Sequence, residues 1–409
     1  MNYVRLLSLL IVVSIIAGCT EETAMTANGT FGDDIKFLRK HTDVVVLSDK
    51  SGQNCVAVVP QMQGRIMTST AKGETGLSFG WINRELVASG EFVKHINVFG
   101  GEDRFWLGPE GGQFSIFFEK GVPFDLEHWF TPAQIDTEPF DLVRKTSNSA
   151  TFGKNIELTN YSGTTFKLRV DREVKILEKD KAAVALGFTP PKTVSFSAFE
   201  SDNRVTNTGD AAWQKQTGLL SIWILGMFNP SAATTIVIPF NPGPESTLGH
   251  IVNDSYFGKV PADRLIVKDN VMFFSGDGQY RSKIGLTPKR AKGILGSYDA
   301  VNKVLTIVQY NKPQAASDYV NSMWELQDEP FKGDVVNSYN DGPPEPGAKP
   351  MGPFYELESS SPAAALEPGK TIRHIHRTFH MQGNEADLSR IASELLGVTL
   401  NEIKSAFSK

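Results

Sequence analysis

The sequence predicts an all-β protein, a large two-sheet antiparallel β-sandwich that ends in a short helical tail. Short runs rich in Val, Ile, Phe, Tyr and Thr follow one another from about Phe31 to Met381, separated by Gly, Pro, Asn and Asp; this is the punctuation of strands and turns. Helical periodicity is convincing only at the C-terminal end. The strand-rich part has no internal repeat and no mid-chain linker of Pro, Ser or charged residues. One sandwich with extra strands and long loops is therefore expected rather than several small domains.

In chain order, the first element is a leader. Met1 to Arg5 carry one positive side chain, Leu6 to Ile16 form an almost unbroken apolar run, and Ile16-Ala17-Gly18-Cys19 closes it with small residues before a cysteine. That is the order of a secretory signal, placed at residues 1–18. The run is shorter than the roughly 20 apolar residues that span a bilayer, and polar Thr20-Glu21-Glu22 follows it. The junction also resembles the lipobox of bacterial lipoproteins, which implies a lipidated Cys19 and a membrane anchor made of acyl chains. Glu21 and Glu22 resemble surface-export signals, so the expected location is the outer membrane, at its periplasmic face or at the cell surface. Residues 19–30 are polar and small, as a flexible tether requires.

The sandwich is placed at 31–383. Its clearest strands are Val44 to Leu47, Val56 to Val59, Phe114 to Phe118, Phe166 to Val170, Val194 to Phe199, Thr235 to Pro239, Val271 to Phe274, Val304 to Gln309 and Thr371 to His380. Residues 384–409 read as helices: Leu388, Ile391, Leu395 and Leu396 recur at helical spacing, and Thr399 with Glu402 three residues on has the form of a capping box.

Composition narrows the partners. The net charge of −5 and the absence of any long run of like charge exclude an obvious nucleic-acid surface. With Cys19 lipidated, Cys55 is the only remaining thiol, so no internal disulfide is expected. In Asn54-Cys55-Val56-Ala57-Val58-Val59 it reads as a small core residue. The Gly-rich segments lack the Lys-Ser/Thr of a phosphate loop, and no Gly-x-Ser-x-Gly elbow occurs. No cofactor and no metal are expected, and the chain is expected to be a monomer.

Three pieces in order, Val58-Val59-Pro60-Gln61-Met62-Gln63-Gly64-Arg65-Ile66, Arg204-Val205-Thr206-Asn207-Thr208-Gly209-Asp210 and Tyr355-Glu356-Leu357-Glu358-Ser359-Ser360-Ser361-Pro362 with Leu366-Glu367-Pro368-Gly369-Lys370, resemble the galactose mutarotase-like (aldose 1-epimerase-like) family. The resemblance runs from about Asp43 to His380. It implies a carbohydrate or sugar-derived ligand on the concave face of the sandwich. It also implies Glu358 as a general base; Glu356, two residues earlier, faces the same way. The family's catalytic histidine has no counterpart: the matching stretch reads Leu220-Ser221-Ile222-Trp223-Ile224-Leu225-Gly226-Met227-Phe228. Ordinary aldose 1-epimerase activity is therefore not expected, and His374 or His376 is the candidate replacement acid.

The residues themselves add candidates. Phe99-Gly100-Gly101-Glu102-Asp103-Arg104-Phe105-Trp106-Leu107-Gly108-Pro109-Glu110-Gly111-Gly112 supplies glycines for close backbone approach and Arg104, Trp106 and Glu110 as donor fork, flat apolar face and acceptor. This stretch also resembles the glycine-rich segment of uncharacterised mutarotase-like bacterial proteins. Arg65 and Trp223 are further ligand-binding candidates. Lys283 is also carried as a ligand-binding candidate, although with Arg290 it reads as a basic loop beside a strand, more readily solvated surface than site. Asn337, Tyr339, Asn340 and Asp341 either line a cleft or build a turn. Strand alternation puts His374, His376, Thr378 and His380 on one face, as a polar pocket wall, as structural histidines or as a zinc pair. The functions in view are sugar acid–base chemistry, glycan binding without chemistry, and a purely structural envelope role, which predicts no concave polar pocket.

Overall fold

The computed structural model describes residues 29–407; the expected leader, Cys19 and most of the tether lie outside the described residues. Antiparallel strands form sheets of three, five and ten strands. The ten-stranded sheet runs in the order Leu265–Lys268, Val271–Ser275, Thr234–Pro239, Ile294–Asp299, Val304–Tyr310, Thr371–Gln382, Ser195–Asn207, Thr165–Ile176, Ser149–Thr159 and Asp141–Lys145. Facing it is the five-stranded sheet, in the order Ser282–Leu286, Val336–Asn340, Tyr355–Ser360, Ser221–Phe228 and Arg104–Gly108. The small sheet, Val45–Ser48, Cys55–Val59 and Arg65–Thr70, contains the early strand pair. This is the expected two-sheet sandwich.

The core between the two large sheets follows from strand alternation. Phe105, Leu107, Ile222 and Ile224 pack against Phe152, Leu168, Val170 and Val205. Farther along, Tyr355, Leu357, Phe228 and Ile284 meet Ile236, Met272, Leu295 and Val308. Burying one face of each sheet against the other is the dominant stabilisation, at about 25 cal/mol per Å² of apolar surface. The outer face of the ten-stranded sheet would be apolar too, at Val237, Leu305, Ile307, Phe379 and Met381, and the C-terminal tail covers it.

That tail is as expected. The helix Glu385–Leu396 buries Leu388, Ile391, Ala392 and Leu396, and Leu400–Ser405 starts at a capping box in which Thr399 and Glu402 exchange hydrogen bonds. Cys55 is a buried free cysteine, its thiol pushed up to about 11 chiefly by burial, which makes it unreactive.

Short helices at Arg84–Ser89 and Lys179–Leu186 interrupt the expected strand pattern, and two further elements differ from expectation. Phe114 to Phe118 is a loop rather than a strand, because its rings are used for contacts off the sheets: Phe117 stacks on Trp129 and Phe118 meets Trp324 edge-on. Phe31–Leu38 is a helix that the strand pattern concealed; Thr30 caps it by accepting from the Asp33 N–H, and it buries Phe31, Ile35 and Leu38.

Candidate functional site

The second face of the five-stranded sheet points away from the core. Register pairs Lys283 with Tyr339, Tyr339 with Glu356 and Glu356 with Met227, and Arg104 with Leu225 and Trp106 with Trp223. Residues in register share a face, so side chains from all five strands converge. Loops fold over this face and leave a cleft of about 530 Å³, lined by Arg104, Trp106, Glu110, Trp129, Trp223, Lys283, Trp324, Tyr339 and Glu356 among others. The volume falls within the range of about 300–1,000 Å³ typical of small-ligand sites.

The loops are held by the Gly-rich stretch. A Cβ on Gly111 would lie 2.3 Å from the Met323 carbonyl oxygen, so only glycine lets residues 110–112 press against the segment that carries Trp324. The Glu110 N–H donates to Ser322 Oγ at 3.1 Å, and Gln113 and Gln327 exchange side-chain-to-backbone bonds at 2.7 and 2.9 Å. Gly101 (φ +106°) abuts the Arg65 side chain. The expected close approach of these glycines is thus to the protein's own chain.

Charge in the cleft is organised in two pairs. Arg104 Nη2 donates to Glu356 Oε1 at 3.2 Å, and the guanidinium lies 4.1 Å over the Trp106 ring. Lys283 Nζ is 3.3 Å from Glu358 Oε1, and Trp223 Nε1 donates to Glu358 Oε2 at 2.8 Å. Burial, reinforced by Glu358, raises the Glu356 carboxyl to about 8 despite Arg104 and Lys283. Burial likewise raises Glu110. At Lys283 burial acts to lower the ammonium, but Glu358, Glu110 and Glu356 outweigh it and hold the group charged. Several donors in this wall have no protein acceptor: Arg104 Nε and Nη1, Trp106 Nε1 and Trp129 Nε1. Buried donors without partners are rare, and a polar ligand is one explanation for them.

Arg104, Trp106, Glu110, Trp223 and Lys283 therefore come together. Lys283, a ligand-binding candidate whose surroundings also read as solvated surface, is a cleft-wall residue of the Ser282–Leu286 strand, only 9 % exposed. Its companion Arg290 is fully buried, donating to the Gly249, Asn241 and Gly243 carbonyls. Arg65 does not reach the cleft: it is wholly buried and donates to the Gly100 carbonyl and to Gln63, supporting the turn before Arg104 from below. Glu358 is fully buried beneath Trp223 and Lys283, and Glu356, one pleat along, is the strand's carboxylate that lines the cleft.

His374 and His376 also lie elsewhere. They face the core from the ten-stranded sheet and share the Ser359 hydroxyl, each at 2.8 Å. Burial lowers them to about 3 and about 4, so both stay neutral and neither is a proton donor to the cleft. His380, on the same face, bonds Glu102 at 2.8 Å and Thr306 at 2.9 Å. Among the described residues no three His, Cys, Asp or Glu gather as a metal site. Tyr339 lines the cleft, and Asp341 accepts its hydroxyl at 2.9 Å. Trp129 and Trp324 were not apparent as site residues in the sequence. Their signal was rarity: four of the chain's six tryptophans line this one cleft.

One family model matches, that of a family of unknown function (DUF6786), over residues 29–407. No curated protein matches the chain. Solved structures with a similar fold include the Slr1438 protein of Synechocystis sp. PCC 6803 (11 % identity, 84 % of this chain and 96 % of that one, TM-score 0.49). A putative aldose 1-epimerase of Escherichia coli K12 is 13 % identical over 84 % of this chain and 99 % of that one, with TM-score 0.49. A galactose mutarotase related enzyme of Lactobacillus acidophilus is 11 % identical over 84 % and 99 %, with TM-score 0.45. Two of these three carry an epimerase or mutarotase name; any function of this chain rests on the cleft itself.

Proposed function

We infer that this chain, which belongs to the family of unknown function DUF6786, binds a carbohydrate in the cleft over its five-stranded sheet. The observation that carries this is the coincidence, in one cleft, of four tryptophans with buried N–H donors that have no protein acceptor. A pyranose offers the complement of both, CH faces to lie on rings and hydroxyls to accept from the donors. A purely structural envelope role predicts no such pocket, and the cleft speaks against it.

Trp324 is the residue on which to test this. It sits on a loop and is only partly buried, so its removal disturbs the core least. Stacking of a sugar on an aromatic face contributes on the order of 1–2 kcal/mol, so Trp324→Ala should weaken saccharide binding roughly tenfold. Titration of the parent and variant with a saccharide panel, followed by calorimetry, checks this. Saccharide binding unaffected by Trp324→Ala would remove that wall from the site.

Acid–base chemistry on the bound sugar is a second reading, favoured by Glu356, a cleft carboxyl that burial raises above its ordinary range, the direction that suits a proton donor. If a bound sugar is converted, Glu356→Gln should lower turnover by about 10²–10⁴ while changing affinity much less. Conversion at an unchanged rate would leave binding without chemistry as the function.

The leader motif supports a lipoprotein of the outer membrane, at its periplasmic face or at the cell surface, held by Cys19. Cys19→Ser should release the protein from membranes; continued partition of the variant with membranes would contradict the anchor.

A further inference from the structure

Resting on the carbohydrate reading, we propose that the bound saccharide is acidic and that Arg104 receives its oxyanion, the carboxylate of a uronic acid or a sulfate ester. Arg104 is 2 % exposed and lies on the cleft wall. A guanidinium has five donors in a planar fork, yet Arg104 makes a single side-chain bond, from Nη2 to Glu356, and Nε and Nη1 have no partner. The Trp106 ring beneath the guanidinium fixes its plane, which suits two-point recognition of an oxyanion.

Charge, rather than donor count, separates an acidic ligand from a neutral one. Neutral hydroxyls would satisfy the free N–H groups one at a time, whereas an oxyanion meets Nε and Nη1 together through charge-assisted bonds to the planar fork. Glu358, the other acid of the strand, is committed to Lys283 and Trp223. Burial and Glu358 raise the Glu356 carboxyl, which weakens it as the counter-ion of Arg104. Arg281, over the Phe257 ring at 4.0 Å, also lines the cleft, as does the acidic Glu127.

The test is calorimetric titration of the protein with matched pairs: glucuronate- and galacturonate-terminated oligosaccharides against their methyl esters, and sulfated against desulfated oligosaccharides. The acidic member of at least one pair should bind about 10- to 100-fold more tightly than its neutral partner, the range expected for hydrogen bonds to a charged group. Which pair discriminates identifies the oxyanion. Arg104→Gln should remove most of that preference, bringing the acidic and neutral members of the discriminating pair to within a few-fold of each other. The parent titrations decide even if the variant does not fold. Neutral partners bound as tightly as acidic ones would overturn the acidic ligand and leave the carbohydrate reading standing; no saccharide bound at all would overturn the carbohydrate reading itself.

Discussion

Replacing His374 and His376 together by glutamine should flatten the acid limb of the stability curve. In the folded protein burial keeps these imidazoles neutral down to about 3 and about 4, against an ordinary 6.5. The unfolded chain takes up both protons as the pH falls through 6.5. The folded state does not. The unfolded state therefore binds more protons in this window, and stability is lost as pH falls from 6.5 toward 4, by about 1.4 kcal/mol per histidine per pH unit. By pH 4.5 the double variant should have gained roughly 5 kcal/mol relative to the parent, compared with their difference at pH 7. Asp334 and Asp341, pushed up to about 6 by burial, act in the opposite sense, but in both proteins, so they cancel in the difference. Losing the bonds to Ser359 shifts the whole curve of the variant without changing its slope. Denaturant titrations at several pH values measure this; parallel curves for parent and variant would show that the histidines are not held neutral.

Asp103→Leu should destabilise the protein by about 3–5 kcal/mol, the usual consequence of removing one partner of a buried ion pair. Asp103 and Arg172 are both fully buried, 2.6 Å apart. Ser201 donates to the Asp103 carboxylate at 2.7 Å, and Arg172 also donates to the Gly64 and Asp103 carbonyls. This network joins the ten-stranded sheet to the segment leading into the Arg104–Gly108 strand, so it also fixes the entry to the cleft wall. Replacing both partners, Asp103→Leu with Arg172→Met, should recover much of the loss, because no charge is then left uncompensated. Urea midpoints read both effects. A loss below about 1 kcal/mol for Asp103→Leu would mean that water reaches the pair.

Much of this architecture was legible in the sequence because its strands alternate and its turns are marked. The Thr399–Glu402 capping box and the Leu388, Ile391, Leu396 stripe are local signals, and the structure reproduces them. The helix Phe31–Leu38 carried the same kind of signal, a Thr30 cap with Asp33 three residues on, inside a stretch dominated by strand-forming neighbours. The site divides in the same way. Arg104, Trp106 and Glu110 were found because an unusual local stretch holds all three. The choice between Glu356 and Glu358 was not, since both share one strand face and only the packing of Trp223 and Lys283 over Glu358 distinguishes them. His374 and His376 were read correctly as one face, but which sheet that face meets is a property of topology. Trp129 and Trp324 come from loops more than 190 residues apart and stack at 5.7 Å, a contact that no local pattern encodes.

The most direct measurement of the central claim is a crystal structure of the protein with an oligosaccharide bound. A sugar ring should lie against the Trp129–Trp324 wall, with an oxygen within hydrogen-bond distance of Arg104 Nη1 or Trp106 Nε1. Saccharide seated instead in the separate groove lined by Val252, Asn253, Lys259 and Lys312, with the tryptophan cleft empty, would contradict it.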